Sequence, residues 1–191
     1  GTSLLNGGTI TSVGAVAFNY AVALGVDLTV ATTNANVLFG ATVNSADATA
    51  RDLTVNAGSG NIRLASTVGA TQALNAVALN SSGETHLDGS MNVGSLTTNA
   101  GGTLALNAGT ITASGGISLG EAVTLERDVT LTGVNVTLVS TVNGAHTVTD
   151  LQRMLNIFID KFVLCPKCHL AETALSVSLK RGFIFHKCSA C

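Results

Sequence analysis

The six residues Leu53-Thr-Val-Asn-Ala-Gly58 return as Leu96-Thr-Thr-Asn-Ala-Gly101, with a looser copy, Val77-Ala-Leu-Asn-Ser-Ser-Gly83, between them. The shared asparagines Asn56, Asn80 and Asn99 stand 24 and 19 residues apart. A unit of about 20 residues cannot bury an apolar face by itself, so a repeat of that period has to stack on its neighbours. Residues 1–141 read throughout as short runs of Val, Leu, Ile and Thr broken by Asn, Ser and Gly. In Val123-Thr-Leu125 and Val129-Thr-Leu131 the apolar side chains take one face and threonine the other, the period of a half-buried strand. Asn and Gly accept the left-handed backbone that tight corners need and β-branched residues resist. The pattern predicts a parallel β-helix.

Composition breaks sharply near residue 150. All four lysines, all four cysteines and the single proline, Pro166, lie at or after residue 161, and only Gly182 of the 21 glycines lies beyond residue 150. Residues 1–150 hold three Arg against nine acids, and residues 151–191 hold six bases against two acids, so the overall charge of −2 describes neither part. The expected organisation is two unlike domains: a repetitive β-solenoid over 1–145, then one helix and a small, truncated zinc ribbon over 146–191. The whole is mainly β.

Nothing in the first domain is chemically equipped. His86 and Asp88 are close in sequence, but a solvated coil corner accounts for them better than a metal-ligand pair. The nine acids are scattered, without the repeated Gly-Gly-x-Gly-x-Asp of calcium-binding rolls, and read as exposed turn residues. No glycine-rich phosphate loop leads from a strand into a helix, and no small-molecule substrate is implied. The most apolar stretch, Val13 to Val26, is shorter than the roughly 20 residues a membrane helix needs and lacks the basic flank of a signal peptide. The start at Gly1 reads as that of a fragment or processed product. From Asp52 to Asn143 the runs DLTVNAGSGNI, LTTNAGG, AVTLERDVTLTG and STVNG resemble the degenerate repeats of bacterial adhesins of the filamentous haemagglutinin and autotransporter type. That resemblance implies an extended surface stalk and supplies no active site.

Beyond residue 148 the period changes. Leu151, Met154, Leu155, Phe158, Ile159 and Phe162 recur at helical spacing and form one apolar stripe. Thr149 with Gln152 makes a capping box, and Asp150 suits the positive end of the helix dipole. Then come Cys165-Pro-Lys-Cys168 and Cys188-Ser-Ala-Cys191, the C-x2-C…C-x2-C spacing of a zinc site. Each pair can turn two sulfurs toward one ion, and four thiolates close a tetrahedron with no open position, so one structural Zn2+ is expected on Cys165, Cys168, Cys188 and Cys191. Leu175, Val177 and Leu179 alternate along one strand, Lys180-Arg181-Gly182 turns the chain, and Phe183 to His186 returns it. About 25 residues cannot fold on apolar burial alone, and zinc would supply the deficit. His169 and His186 read as exposed ribbon residues rather than substitute ligands. A redox role for Cys165 and Cys168 would need a βαβ context that is absent.

Val142-Asn-Gly-Ala-His146, LQRMLNIFIDKFVLCPKC and the terminal KCSAC resemble the central stretch of the eukaryotic translation initiation factor 5 family and, less closely, the beta subunit of initiation factor 2. Glu172-Thr173 matches the family's Pro-Glu-Thr segment, with Ala171 in place of proline. The resemblance implies a non-enzymatic zinc module of start-codon selection, with initiation factor 2 and the ribosomal initiation complex as partners. The family's amino-terminal α/β half, which holds its arginine finger, has no counterpart in these residues, so GTPase stimulation and catalytic residues do not carry over. The small positive surplus of the tail does not argue for direct nucleic-acid binding. The two resemblances meet within residues 140–146 and point to different compartments: cytoplasmic for the zinc module, cell surface for the solenoid. The competing expectation is therefore a fragment of a secreted adhesin whose tail is incidental.

Overall fold

The computed structural model describes residues 1–144, 173–178 and 183–188. The chain divides into two compact units, Gly1–Ala145 and His146–Cys191. Among the described residues there is no helix, and none long and apolar enough to cross a membrane. The helix expected over residues 149–162 lies outside the described residues.

The first unit is a stack of coils with three strand positions in each. The first coil holds β1 (Thr2–Leu5), β2 (Thr9–Ser12) and β3 (Val16–Phe18), and the second β4 (Ala21–Leu24), β5 (Leu28–Thr32) and β6 (Val37–Phe39). The third holds β7 (Val43–Ser45), β8 (Leu53–Gly58) and β9 (Ile62–Leu64). In the fourth, Val68 alone bridges Val43 and Met91, followed by β10 (Leu74–Ser81) and β11 (Glu84–Leu87). The long strand β12 (Met91–Thr98) runs through two positions of the fifth coil, and β13 (Thr103–Leu106) takes the third. The sixth holds β14 (Thr110–Ala113), β15 (Gly116–Leu119) and β16 (Ala122–Leu125). The last holds β17 (Thr130–Thr132), β18 (Asn135–Leu138) and β19 (Val142–Gly144). Strands stack in parallel with their counterparts one coil away, and the third positions alone make a seven-stranded sheet. Seven coils follow.

Register turns the repeat into packing. Leu53 pairs with Val77 and Val77 with Leu96, so the copies visible in the sequence lie directly above one another. A coil takes 25 residues between Leu28 and Leu53 and 19 between Val77 and Leu96, with the difference taken up at the corners. Alternate residues of each strand point inward, giving columns such as Val37, Ile62, Thr85, Leu104 and Val123. Leucine, isoleucine and valine dominate this core, and Phe18 stacks on Phe39 with ring centroids 4.6 Å apart. Val129 and Leu131 pack against the core at its edge, as their alternation with threonine predicts. At the corner after β8, Gly58 takes φ 61°, and a Cβ there would collide with the Asn34 side chain. Asn34 itself takes φ 57°.

Both ends of the stack leave apolar side chains uncovered. Leu4, Val13 and Tyr20 are exposed at the first coil, and Val134, Val136, Leu138, Val139 and Val142 at the last. The second unit contributes an antiparallel hairpin of β20 (Thr173–Ser178) and β21 (Phe183–Cys188), in which Ser178 faces Phe183 and Thr173 faces Cys188. These are the two strands expected from the alternation of Leu175, Val177 and Leu179 and the return from Phe183 to His186, while Leu179 and the expected turn Lys180-Arg181-Gly182 lie outside the described residues.

Candidate functional site

Of the four cysteines, Cys188 closes β21 opposite Thr173. Cys165, Cys168 and Cys191 lie outside the described residues, as do His169 and the turn Lys180-Arg181-Gly182. His186 stands within β21 opposite Leu175. The backbone thus places one expected ligand on the hairpin end away from the β20–β21 connection. Among the described residues no three His, Cys, Asp or Glu side chains converge in a way that could hold a metal.

The solenoid brings together residues that the sequence keeps far apart. His86 is not at a coil corner: it sits within β11, because that strand extends from Glu84 to Leu87. There its Nε2 lies 3.0 Å from Glu84 Oε2. Asp88 does follow the strand, and its Oδ2 accepts a 2.7 Å hydrogen bond from Arg63 Nε one coil below. The two residues are therefore engaged separately, one within its own strand and one across coils. Neither arrangement has the donor set of a metal centre.

The repeated asparagines form a ladder. Asn80 Nδ2 donates to Asn56 Oδ1 at 2.8 Å, Asn99 Oδ1 accepts from the Ser81 backbone at 3.0 Å, and Asn34 Oδ1 accepts from the Ser59 backbone at 3.0 Å. With Gly58, Ser81 and Ser82 they line an uncharged corner cleft of about 450 Å³. Each amide satisfies backbone or side-chain groups at a corner where strand pairing stops, which is a structural task. Aspartates repeat the device elsewhere: Asp27 Oδ1 accepts from the Asp52 backbone, and Asp52 Oδ1 from Asn75 Nδ2 and the Ala76 backbone.

The expectation that all nine acids are exposed turn residues fails for Glu84, which lies within β11, and for the half-buried Asp52 and Asp88, while Asp150 lies outside the described residues; Glu121 departs furthest. Glu121, at the corner between β15 and β16, is only 1 % exposed. Its Oε1 accepts from Thr85 Oγ1 at 3.2 Å, and its Oε2 has no partner among the described residues. Loss of hydration raises its pKa from 4.5 to about 7, against a small opposing effect of the Thr85 hydrogen bond. Glu121 follows Gly120 and precedes a strand, a setting that in sequence looks like any other polar corner. The inward turn becomes visible only in the stack.

Residues 129–191 match a family model described as a domain found in initiation factors 2B and 5. The match reaches further toward the amino terminus than the resemblance read from residue 142, and it takes in the last coil of the solenoid. Over 50 residues, 26 % of this chain, it is 54 % identical to eukaryotic translation initiation factor 5 of Drosophila melanogaster and 52 % identical to that of Mus musculus. The probable eukaryotic translation initiation factor 5 of Schizosaccharomyces pombe is 48 % identical over 50 residues. These segments are 11, 12 and 13 % of the respective relatives, so the chain spans about a tenth of the curated proteins it matches. No solved structure matches. The family match therefore covers the carboxy-terminal third of the chain, and the coils before residue 129 lie outside it.

Proposed function

We propose that residues 146–191 are a non-enzymatic zinc module of the translation-initiation machinery that associates with initiation factor 2, and that residues 1–145 are a structural solenoid joined to it. The observation that carries this reading is the run of 50 residues about half identical to initiation factor 5 from insect, mammal and fission yeast. The family match, residues 129–191, includes all four cysteines of the C-x2-C…C-x2-C pattern. Cys165, Cys168, Cys188 and Cys191 would hold the ion as four thiolates, and such a closed set supplies a cross-link rather than an activated water.

The hairpin supports the assignment. Thr173, which faces Cys188, follows Cys168 by five residues, and an extended chain of that length spans at most roughly 18 Å. Cys191 follows Cys188 by three. Chain lengths this short would keep both pairs within reach of the same end of the β20–β21 pair.

Elemental analysis of the purified, reduced protein should find one zinc per chain, and Cys188→Ser should lose it. Purified initiation factor 2 should retain the wild-type chain and release the variant. Zinc binding without such retention would count against the partnership, and a metal-free wild-type protein would sink the module itself. A second reading, a fragment of a surface adhesin whose tail is incidental, is compatible with the seven-coil stack. That reading requires cell-surface location and adhesion that survive removal of residues 147–191.

A further inference from the structure

Glu121 is a buried acid with one orphan oxygen and no ion pair among the described residues. The charged groups of the surrounding strands are turned elsewhere. Glu84 and His86 of β11 pair with each other, and Arg63 of β9 pairs with Asp88. Strands β13, β15, β16, β18 and β19 carry no charged residue, and Glu126, Arg127 and Asp128 beyond β16 are exposed. Among the described residues nothing cationic compensates the carboxylate, so its charged form is costly inside the stack.

The last coil covers this acid on the open side of the stack. Pairing of Val123 with Val142 brings Ser140 over Glu121. The Val139 backbone donates to Leu119 O and the Val123 backbone to Thr141 O, both at 2.9 Å, bracketing Glu121 on either side. Yet this coil is the least secured part of the fold it belongs to. Every residue of β18 is exposed, and β17 keeps only Leu131 half-buried. Terminal coils of a stack have a neighbour on one side only and open at low cost.

We propose that Glu121 and the last coil form a proton-linked latch, in which residues 130–144 stay docked while Glu121 is protonated and come away from the stack when it ionises. Undocking lets water reach the carboxylate, and ionisation in turn favours the undocked coil; the two events are linked and must drive each other equally. Because burial lifts the acid from 4.5 to about 7, the docking of the coil weakens as pH rises between those values. The released residues lie in the stretch that matches the initiation-factor family, so the latch controls the lead into the carboxy-terminal unit. It does not depend on zinc.

Hydrogen exchange of the whole chain at pH 5, 6.5 and 8, read as protection factors, tests this. Protection over 130–144 should fall by roughly ten- to a hundredfold from pH 5 to pH 8, while that over 53–64 stays level. Glu121→Gln should abolish the fall. A level wild-type profile, or a fall that persists in Glu121→Gln, overturns the latch. If that variant does not fold, Thr85→Val serves: it removes the one hydrogen bond that holds the acid's pKa down, so the midpoint should move to higher pH, and an unmoved midpoint also overturns the proposal.

Discussion

A single buried carboxyl makes the stability of the coils depend on pH, and the sign follows from the direction of its shift. Glu121 binds its proton more tightly in the fold than in the unfolded chain, about 7 against 4.5. Its contribution is complete below pH 4.5 and is lost as pH rises toward 7. Glu121→Gln should therefore be more stable than wild type at pH 8, by up to about 3 kcal/mol, with the gap closing below pH 4.5. Release of the last coil lets wild type escape part of that penalty, so the figure is an upper bound. Urea midpoints at pH 4 and pH 8 measure it, and a pH-independent gap would refute it. Two glycines make a second contrast. Gly102 has φ +82°, and a Cβ there would strike the Gly83 carbonyl, whereas a Cβ on Gly109 would meet only Ser90 Oγ at 3.9 Å. Gly102→Ala should cost about 2–4 kcal/mol. Gly109→Ala should be neutral or stabilise by up to roughly 1 kcal/mol. Equal effects in urea denaturation would show that corner geometry does not govern these sites.

At the scale of strands and corners, the asparagine ladder is where sequence and structure agree most closely. Asn56 and Asn80 share a register position and a hydrogen bond, and both follow the apolar positions that stack inside. Asn80→Ala leaves Asn56 Oδ1 without its 2.8 Å donor at a half-buried corner, so a loss of about 1 kcal/mol is expected. A change within error of zero would mean that water replaces the amide. The ladder was legible because it is periodic: one residue type recurs once per coil, and the same period carries the buried leucines. Features without a period were not legible. The Arg63–Asp88 pair spans 25 residues and depends on which corner lies under which. The path of β12 through two strand positions without a turn reflects Met91 and Leu96 both finding inward partners one coil away. Glu121 looked like eight other acids. Its inward orientation follows from a corner whose neighbours in the two coils below, Gly102 and Gly83, carry no side chain. The strand pair was legible from the alternation of Leu175, Val177 and Leu179, the turn residues Lys180-Arg181-Gly182 and the apolar return from Phe183, and it was expected between the two cysteine pairs.

Taken whole, the chain joins two units for which the zinc reading predicts opposite dependence on protons. The coils have an apolar interior whose one buried acid prefers to be neutral, which favours them on the acid side. The carboxy-terminal unit holds 46 residues, too few to bury a self-sufficient core, and on the zinc reading its fold requires four deprotonated cysteines. Acid competes with the metal for those sulfurs, so that unit should be strongest at neutral pH and above. Lowering the pH from 8 to 5 should therefore tighten residues 130–144 and loosen residues 183–188 in the same sample. A zinc chelator at pH 8 should reproduce the second change without the first, because the metal-binding residues proposed here all lie beyond residue 164. Hydrogen exchange resolved to these two segments reads both effects at once. If the hairpin keeps its protection in chelator, its fold does not rest on zinc. If acid strengthens or weakens both segments together, the units are coupled and the two-part organisation fails.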